Sequence, residues 1–91
     1  MRPRKARRIR FNPKADYFKP QGIPFWELEE ITLSYEEAEA IRLRYIEGLN
    51  QEEAAEKMKI SRSTFQRTLQ DALKKIAKFI VEGKALKVER R

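Results

Sequence analysis

The chain has 91 residues and a mass of 10.9 kDa, which limits it to one small domain around a single apolar core. It contains neither cysteine nor histidine, which excludes disulfides, thiolate or imidazole metal sites, and cysteine or histidine catalysis. We therefore expect a binding protein rather than an enzyme, with no cofactor, no metal and no small-molecule substrate. Apolar runs are too short for a membrane span or a signal peptide, which predicts a soluble, cytoplasmic protein with no membrane partner.

The net charge of +7 is divided into three blocks along the chain. Residues 1–20 hold eight basic residues and one acidic residue, residues 21–57 hold three and ten, and residues 58–91 hold ten and three. The net charges of the blocks are therefore +7, −7 and +7. Two basic blocks around an acidic one favour a surface that binds a polyanion, although ordinary solubility charge is the simpler explanation.

The first third of the chain shows few helical signals. Residues 1–12 form a basic arm in which Ile9 and Phe11 alternate with arginines, as in a short strand. Residues 13–32 form a proline-rich loop with several aromatic residues. We expect these aromatic rings to pack on the core rather than to stack on nucleotide bases, because a small domain has few large apolar groups. Whether residues 26–31 form a helical turn or an extended stretch stays open.

A helix-turn-helix domain is predicted over residues 33–82, and its first helix covers residues 33–47. Ser34 and Glu37 have the spacing of a capping box, and Gly48 suits the left-handed residue that ends a helix. The apolar residues of this helix are expected to face the core. They are Ala38, Ile41, Leu43, Tyr45 and Ile46.

Two further helices follow closely. Asn50 and Glu53 predict a second capping box that opens a short helix, and Ser61 is the expected N-cap of a long helix over residues 61–81. Gly83 is expected to end that helix, and residues 83–91 form a tail with a possible strand that pairs with the Ile9 segment or across a dimer. The long helix has an apolar seam that steps by three and four, formed by Phe65, Leu69, Ala72, Ile76, Phe79 and Ile80.

Residues 51–69 have the layout of a helix-turn-helix, in which a short first helix packs closely against the second. Ala54 and Ala55 are small where the second helix is expected to cross. Lys59 occupies the turn position where glycine is common, because the backbone there often takes a positive φ. In that conformation lysine costs about 1 kcal/mol, which a phosphate contact from its ammonium would offset; the alternative is a wider turn. The alternative is an ordinary pair of antiparallel helices in a bundle without nucleic-acid binding.

The outer face of the long helix has side chains suited to a DNA major groove. Residues 62–70 include no carboxylate. Arginine can bind guanine and glutamine can bind adenine with two hydrogen bonds each, so the candidate base-reading residues are Arg62, Gln66, Arg67 and Gln70. The candidate phosphate contacts are Lys57, Lys59, Ser61, Ser63, Thr64 and Lys74. The arm would follow the DNA backbone or enter a minor groove through Arg2, Arg4, Lys5, Arg7, Arg8 and Arg10.

Longer motifs resemble known families. The stretches Ala-Ile-Arg-Leu-Arg-Tyr-Ile-Glu-Gly-Leu, Gln-Glu-Glu-Ala-Ala-Glu-Lys-Met and Ser-Arg-Ser-Thr, within residues 33–76, resemble region 4 of bacterial sigma factors, which grips promoter DNA. With Tyr-Phe-Lys-Pro, Gly-Ile-Pro, Ser-Arg-Ser-Thr-Phe-Gln-Arg and Gly-Lys-Ala-Leu, nearly the whole chain resembles uncharacterised protein family 0251, also called domain of unknown function 134. The chain departs from that family's pattern at Tyr45, Lys59 and Thr68.

The resemblance implies a mainly α fold with a sigma region 4-like, three-helix core and binding to double-stranded DNA. Together with the residues of the outer face, it predicts a sequence-specific regulator of transcription whose helix 61–81 enters the major groove. The alternative hypothesis is a protein-interaction module that docks a partner such as RNA polymerase through the acidic residues 27–56. A homodimer is expected because one reading helix covers only a few base pairs.

Overall fold

The computed structural model describes residues 15–90. The predicted strand around Ile9 and the basic arm lie outside the described residues. The main elements are β1 (Tyr17–Phe18), β2 (Glu30–Leu33), α1 (Tyr35–Ile41), α2 (Gln51–Met58), α3 (Arg62–Glu82) and β3 (Ala85–Val88). A 3₁₀ turn covers Phe25–Glu27, and a π-helical turn covers Arg42–Ile46. The predicted mainly α fold with short strands is confirmed. Among residues 15–90, no helix is both long and apolar enough to cross a bilayer.

The first helix begins as predicted. The Ser34 hydroxyl accepts a hydrogen bond of 3.1 Å from the Glu37 N–H, and the Glu37 carboxylate accepts one of 2.8 Å from the Ser34 N–H. The backbone then widens into the π-helical turn, which adds a residue and rotates the following side chains. Tyr45 and Ile46 are therefore 55% and 76% exposed, and the prediction that they face the core is wrong. Gly48 ends this segment with φ 76°.

The next two helices begin at the predicted caps. The Asn50 side chain accepts a hydrogen bond of 2.8 Å from the Glu53 N–H, and the Glu53 carboxylate accepts one of 3.1 Å from the Asn50 N–H. Ser61 caps α3, and Gly83 ends it in the left-handed conformation with φ 68°. Lys59 takes the left-handed conformation with φ 60°, so the structure has the first of the two alternatives for this turn and not the wider one.

The core consists of two apolar clusters that meet along α3. The first lies between α1, α2 and α3, and its buried residues are Ala40, Leu43, Ala54, Ala55, Phe65 and Leu69. The second lies between α1, α3 and the sheet, and its buried residues are Leu33, Ala38, Ala72, Leu86 and Val88. Ile76 and Phe79 pack partly buried against the second cluster. Ile80 is 67% exposed because it is turned about 100° from Phe79, so its predicted place in the core seam is wrong.

The three strands form one sheet with the order β1-β3-β2. β3 pairs antiparallel with β1 and parallel with β2. Both edges of β3 are thus occupied by β1 and β2 and not by a second copy, whereas the Ile9 segment, the other suggested partner, lies outside the described residues. The open question about residues 26–31 is also answered, since a 3₁₀ turn and the start of β2 share this segment.

The loop between β1 and β2 is held in an unexpected way. Phe25 and Trp26 are 59% and 73% exposed, so the prediction that its aromatic rings pack on the core is wrong for these two. Strands at both ends fix the loop, and the Lys19 ammonium donates hydrogen bonds to the carbonyls of Pro20 and Ile23 at 3.2 and 2.9 Å. The loop therefore keeps its shape without burying the two rings.

Candidate nucleic-acid interface

A three-residue turn at positions 59–61 joins α2 to α3. The Ile60 N–H donates to the Ala55 carbonyl at 3.0 Å, which holds the turn against the preceding helix. Ala54 and Ala55 are 0% and 3% exposed and lie in one cluster with the fully buried Phe65. Since a larger side chain at either alanine would push the helices apart, these contacts fix which face of α3 points outward.

The candidate base-reading residues lie on that outward face. Arg62, Gln66, Arg67 and Gln70 are all exposed, whereas Phe65 and Leu69 are buried. Residues three and four apart on a helix are neighbours, so Gln70 lies beside both Gln66 and Arg67. Within residues 15–90, neither Arg62 nor Arg67 takes part in an ion pair. Their guanidinium groups face solvent with their hydrogen-bond donors available.

The hydroxyl groups at the start of α3 are linked to one another. Ser61 Oγ accepts a hydrogen bond of 3.1 Å from the Thr64 N–H and donates one of 2.8 Å to Thr64 Oγ1. Ser63 Oγ lies 3.3 Å from Ser61 Oγ. Ser61 is therefore occupied as the cap. Thr64, which accepts from Ser61, keeps its own hydroxyl hydrogen for an outside acceptor. The first turn of α3 contains no acidic residue, which leaves its positive end uncompensated.

The basic residues of the described chain divide into two groups. Two of those near the sheet are neutralised: Lys84 forms an ion pair with Glu29, and Arg90 with Asp16 at 3.0 Å. The hydrogen bond from Lys84 lowers the pKa of Glu29 and raises the pKa of Lys84. The predicted phosphate contacts Lys57, Lys59 and Lys74, in contrast, are exposed and form no ion pair with residues 15–90. These three lysines, around the turn and on α3, are therefore free of internal ion pairs, and the exposed Asp71 lies one helical turn beyond Arg67.

Several glutamates of the acidic block at residues 21–57 form ion pairs within the domain, which the sequence did not predict. Arg42 forms ion pairs of 3.1 Å with both Glu39 and Glu47, and Glu37 binds Lys75 at 2.8 Å. Only the spacing of Glu39 and Arg42, three residues apart on one helix, gave a signal for such a pair. Glu52 and Glu56 on α2 are exposed. No cluster of three acidic side chains within residues 15–90 is arranged to hold a metal ion.

Comparisons with known proteins give the same family that the sequence motifs resemble. The model of a family described as "Protein of unknown function DUF134" matches residues 1–90. The chain is 56% identical to a UPF0251 protein of Desulforudis audaxviator over 88 residues, which are 97% of the chain. The identity is 56% to one of Halothermothrix orenii and 54% to one of Caldanaerobacter subterraneus, again over 88 residues and 97% of this chain.

The aligned regions cover different shares of these three relatives. They are 58%, 65% and 75% of the three proteins in the same order. The chain thus spans less than two thirds of the length of the first two. The comparison with solved structures gave no match.

Proposed function

Since the chain belongs to the DUF134 family, whose function is described as unknown, we propose a function from its own geometry: sequence-specific binding of double-stranded DNA in the regulation of transcription. One observation carries this proposal. The outer face of residues 62–70, at the start of α3, is exposed, free of acidic residues and free of ion pairs within residues 15–90. A solvated helix face usually mixes both signs of charge, whereas a surface that meets phosphate does not.

The proposed binding mode places the N-terminal half of α3 in the major groove. The groove is about 12 Å wide and admits one α-helix. Arg67 and Arg62 would each present two donors to a guanine edge, and Gln66 and Gln70 would pair with adenine. Because Phe65 is fully buried between the helices, the reading side chains project from a rigid support.

Phosphate contacts would come from both sides of the turn. Lys57 and Lys59 precede α3, and Lys74 lies one helical turn beyond Gln70. The hydroxyl groups of Ser63 and Thr64 and the free N–H groups of the first turn of α3 suit a phosphate oxygen. The arm from Arg2 to Arg10 lies outside the described residues, and its role on the DNA backbone stays a prediction from the sequence.

The interaction module remains the competing proposal. Its acidic surface would consist of carboxylates that have no internal cation, such as Glu52 and Glu56. Four carboxylates of the block form ion pairs inside the domain: Glu29, Glu37, Glu39 and Glu47. A partner such as RNA polymerase would therefore meet a surface that is less acidic than the sequence suggests. This weighs in favour of the DNA proposal.

We also propose a homodimer, but with a contact surface at the end of α3 and not at the terminal strand. The terminal strand β3 needs no partner from a second copy, since it is flanked by β1 and β2. The end of α3 presents Ile80 and Val81 at 67% and 82% exposure. Contact between two copies at this end would cover both side chains and set two reading helices apart for a two-fold site.

Binding to random duplex DNA at two salt concentrations tests the proposal. Because polyanion binding releases counterions, we expect retention at about 50 mM salt that falls steeply by about 200 mM. Replacing Lys59 with Gln should lower the slope of log affinity against log salt by about one. Lys87→Gln is the matched control, since Lys87 lies on β3 and is equally free of ion pairs within residues 15–90. Flow-through at the lower salt would refute DNA binding and support the interaction module.

A further inference from the structure

The sheet has a polar face that no helix covers in the described structure. Successive residues of a strand point to opposite faces, and Leu86 and Val88 of β3 pack in the cluster that contains Ala72 of α3. Lys87 therefore points away from α3. Tyr17 is the partner of Lys87 in the antiparallel register, so both side chains lie on the outer face.

A cleft of about 420 Å³ opens on this face, lined by Tyr17, Lys19, Phe25, Glu30 and Lys87. Its volume lies within the range of small-molecule sites. The cleft combines two ammonium groups, two aromatic rings and one carboxylate. Lys87 forms no ion pair within residues 15–90, and Lys19 uses two hydrogen bonds on loop carbonyls, which leaves its third donor available.

The two aromatic side chains of the cleft differ from those of an ordinary core, because the Phe25 ring is exposed and the Tyr17 hydroxyl is buried. Phe25 is 59% exposed, and its ring meets Trp26 edge-on with centroids 5.3 Å apart. One face of the Phe25 ring is thus available for stacking. The Tyr17 hydroxyl oxygen is buried and has no hydrogen-bond partner among the described residues. Burial, and then the nearby Glu30 carboxylate, raise the pKa of Tyr17, which places the Glu30 carboxylate close to this hydroxyl.

We propose that this cleft binds an aromatic base that carries a phosphate, either as a free nucleotide or as one unit of a single strand. The base stacks on Phe25, and the phosphate lies between Lys19 and Lys87. The Glu30 carboxylate, which can only accept hydrogen bonds when ionised, binds the exocyclic amino group of the base. Adenine, cytosine and guanine carry such a group, whereas uracil and thymine do not. The proposal is independent of duplex binding, because its residues lie on the sheet and not on the outer face of α3.

The fluorescence of Trp26 can report ligand binding in the cleft, because Trp26 is the only tryptophan in the chain and it contacts Phe25. Titration with AMP should change its fluorescence saturably, UMP should bind more weakly, and ribose 5-phosphate should bind weakest. Phe25→Ala should weaken AMP binding by roughly 5- to 150-fold, the effect expected for losing one stacked base. Calorimetry gives a second readout for this variant, whose tryptophan environment is itself altered.

Controls separate this site from the DNA-binding face. Lys87→Gln should weaken AMP and leave duplex binding unchanged, whereas Arg67→Ala should leave AMP binding unchanged. Affinity for AMP equal to that for an adenine-containing single strand would identify the free nucleotide as the ligand, and a much higher affinity for the strand would identify the strand. Absence of saturable binding by both probes, or an unchanged AMP affinity in Phe25→Ala with circular dichroism showing an intact fold, would overturn the proposal.

Discussion

The Lys75 ammonium of α3 donates a hydrogen bond of 2.8 Å to the Glu37 carboxylate of α1. The same ammonium donates to the Thr32 carbonyl of β2 at 2.7 Å, and the same carboxylate accepts from the Ser34 N–H at 2.8 Å. One pair of side chains therefore joins the long helix, the start of the first helix and the edge strand. It also pairs one partly exposed cation of α3 within the domain.

Loss of this pair should destabilise the domain. We expect Lys75→Met to lower the free energy of unfolding by about 1–2 kcal/mol, because the buried Glu37 carboxylate loses its charged partner. The loss is limited to this size because solvent already reaches part of the lysine and screens the pair. Lys74→Met is the matched control, since Lys74 is exposed and forms no ion pair within residues 15–90. Urea unfolding measures both variants. Equal losses in the two would show that the ion pair contributes nothing specific.

The same carboxylate predicts a dependence of stability on pH. Burial raises the pKa of Glu37, but hydrogen bonds from Lys75 and Ser34 outweigh it, so the pKa lies below the ordinary 4.5. A group with a lowered folded pKa stabilises the fold fully above its unfolded pKa and loses that contribution as the pH falls through the folded value. Glu37→Gln should therefore reduce stability at neutral pH and flatten its decline below 4.5. Urea midpoints across this range measure the effect, and parallel declines in variant and parent would contradict it.

Replacing Lys59 with glycine should raise the stability of the fold and weaken its binding to duplex DNA. Its φ of 60° costs a non-glycine residue about 1 kcal/mol. Since glycine also gains freedom in the unfolded chain, we expect Lys59→Gly to raise the free energy of unfolding by up to about 1 kcal/mol and to weaken duplex binding. Lys57→Ala, a change within α2, should weaken binding without the gain in stability. A Lys59→Gly protein that is no more stable than the parent would refute strain in the turn.

Exposed apolar residues at the end of α3 predict the oligomeric state. Light scattering should give twice the monomer mass of 10.9 kDa, and Ile80→Glu should restore the monomer. Ile46→Glu is a useful control, because Ile46 is 76% exposed on a different element. A monomeric parent protein, or equal dissociation in both variants, would refute contact through the end of α3.

The helix starts could be predicted because their signals are local. Ser34, Asn50 and Ser61 each cap the backbone three residues later, and the same short segment determines this geometry. Gly83 and the strained Lys59 were predictable for the same reason. The apolar seam of α3 placed Phe65 and Leu69 in the core and thereby also determined which residues of α3 are exposed.

The remaining features depend on contacts between distant parts of the chain. Tyr17 pairs with Lys87, and Glu30 with Ala85, and nothing in two short strands specifies a partner so far away. The π-helical turn depends on how the chain after Ile41 fits the neighbouring helices, so periodicity alone placed Ile46 in the core. The polar cleft on the sheet follows from the strand register and could not be predicted without it.

The affinity of Arg67 variants for a selected duplex and for random duplex tests the central claim most directly. Selection from random duplex DNA supplies the preferred site. Arg67→Ala should lose about 1–3 kcal/mol on that site and little on random DNA, because base contacts carry the specificity. Arg67→Lys keeps the charge but not the paired donors, and it should lose specificity while retaining the salt dependence. Equal losses on both duplexes in Arg67→Ala would contradict base reading by α3.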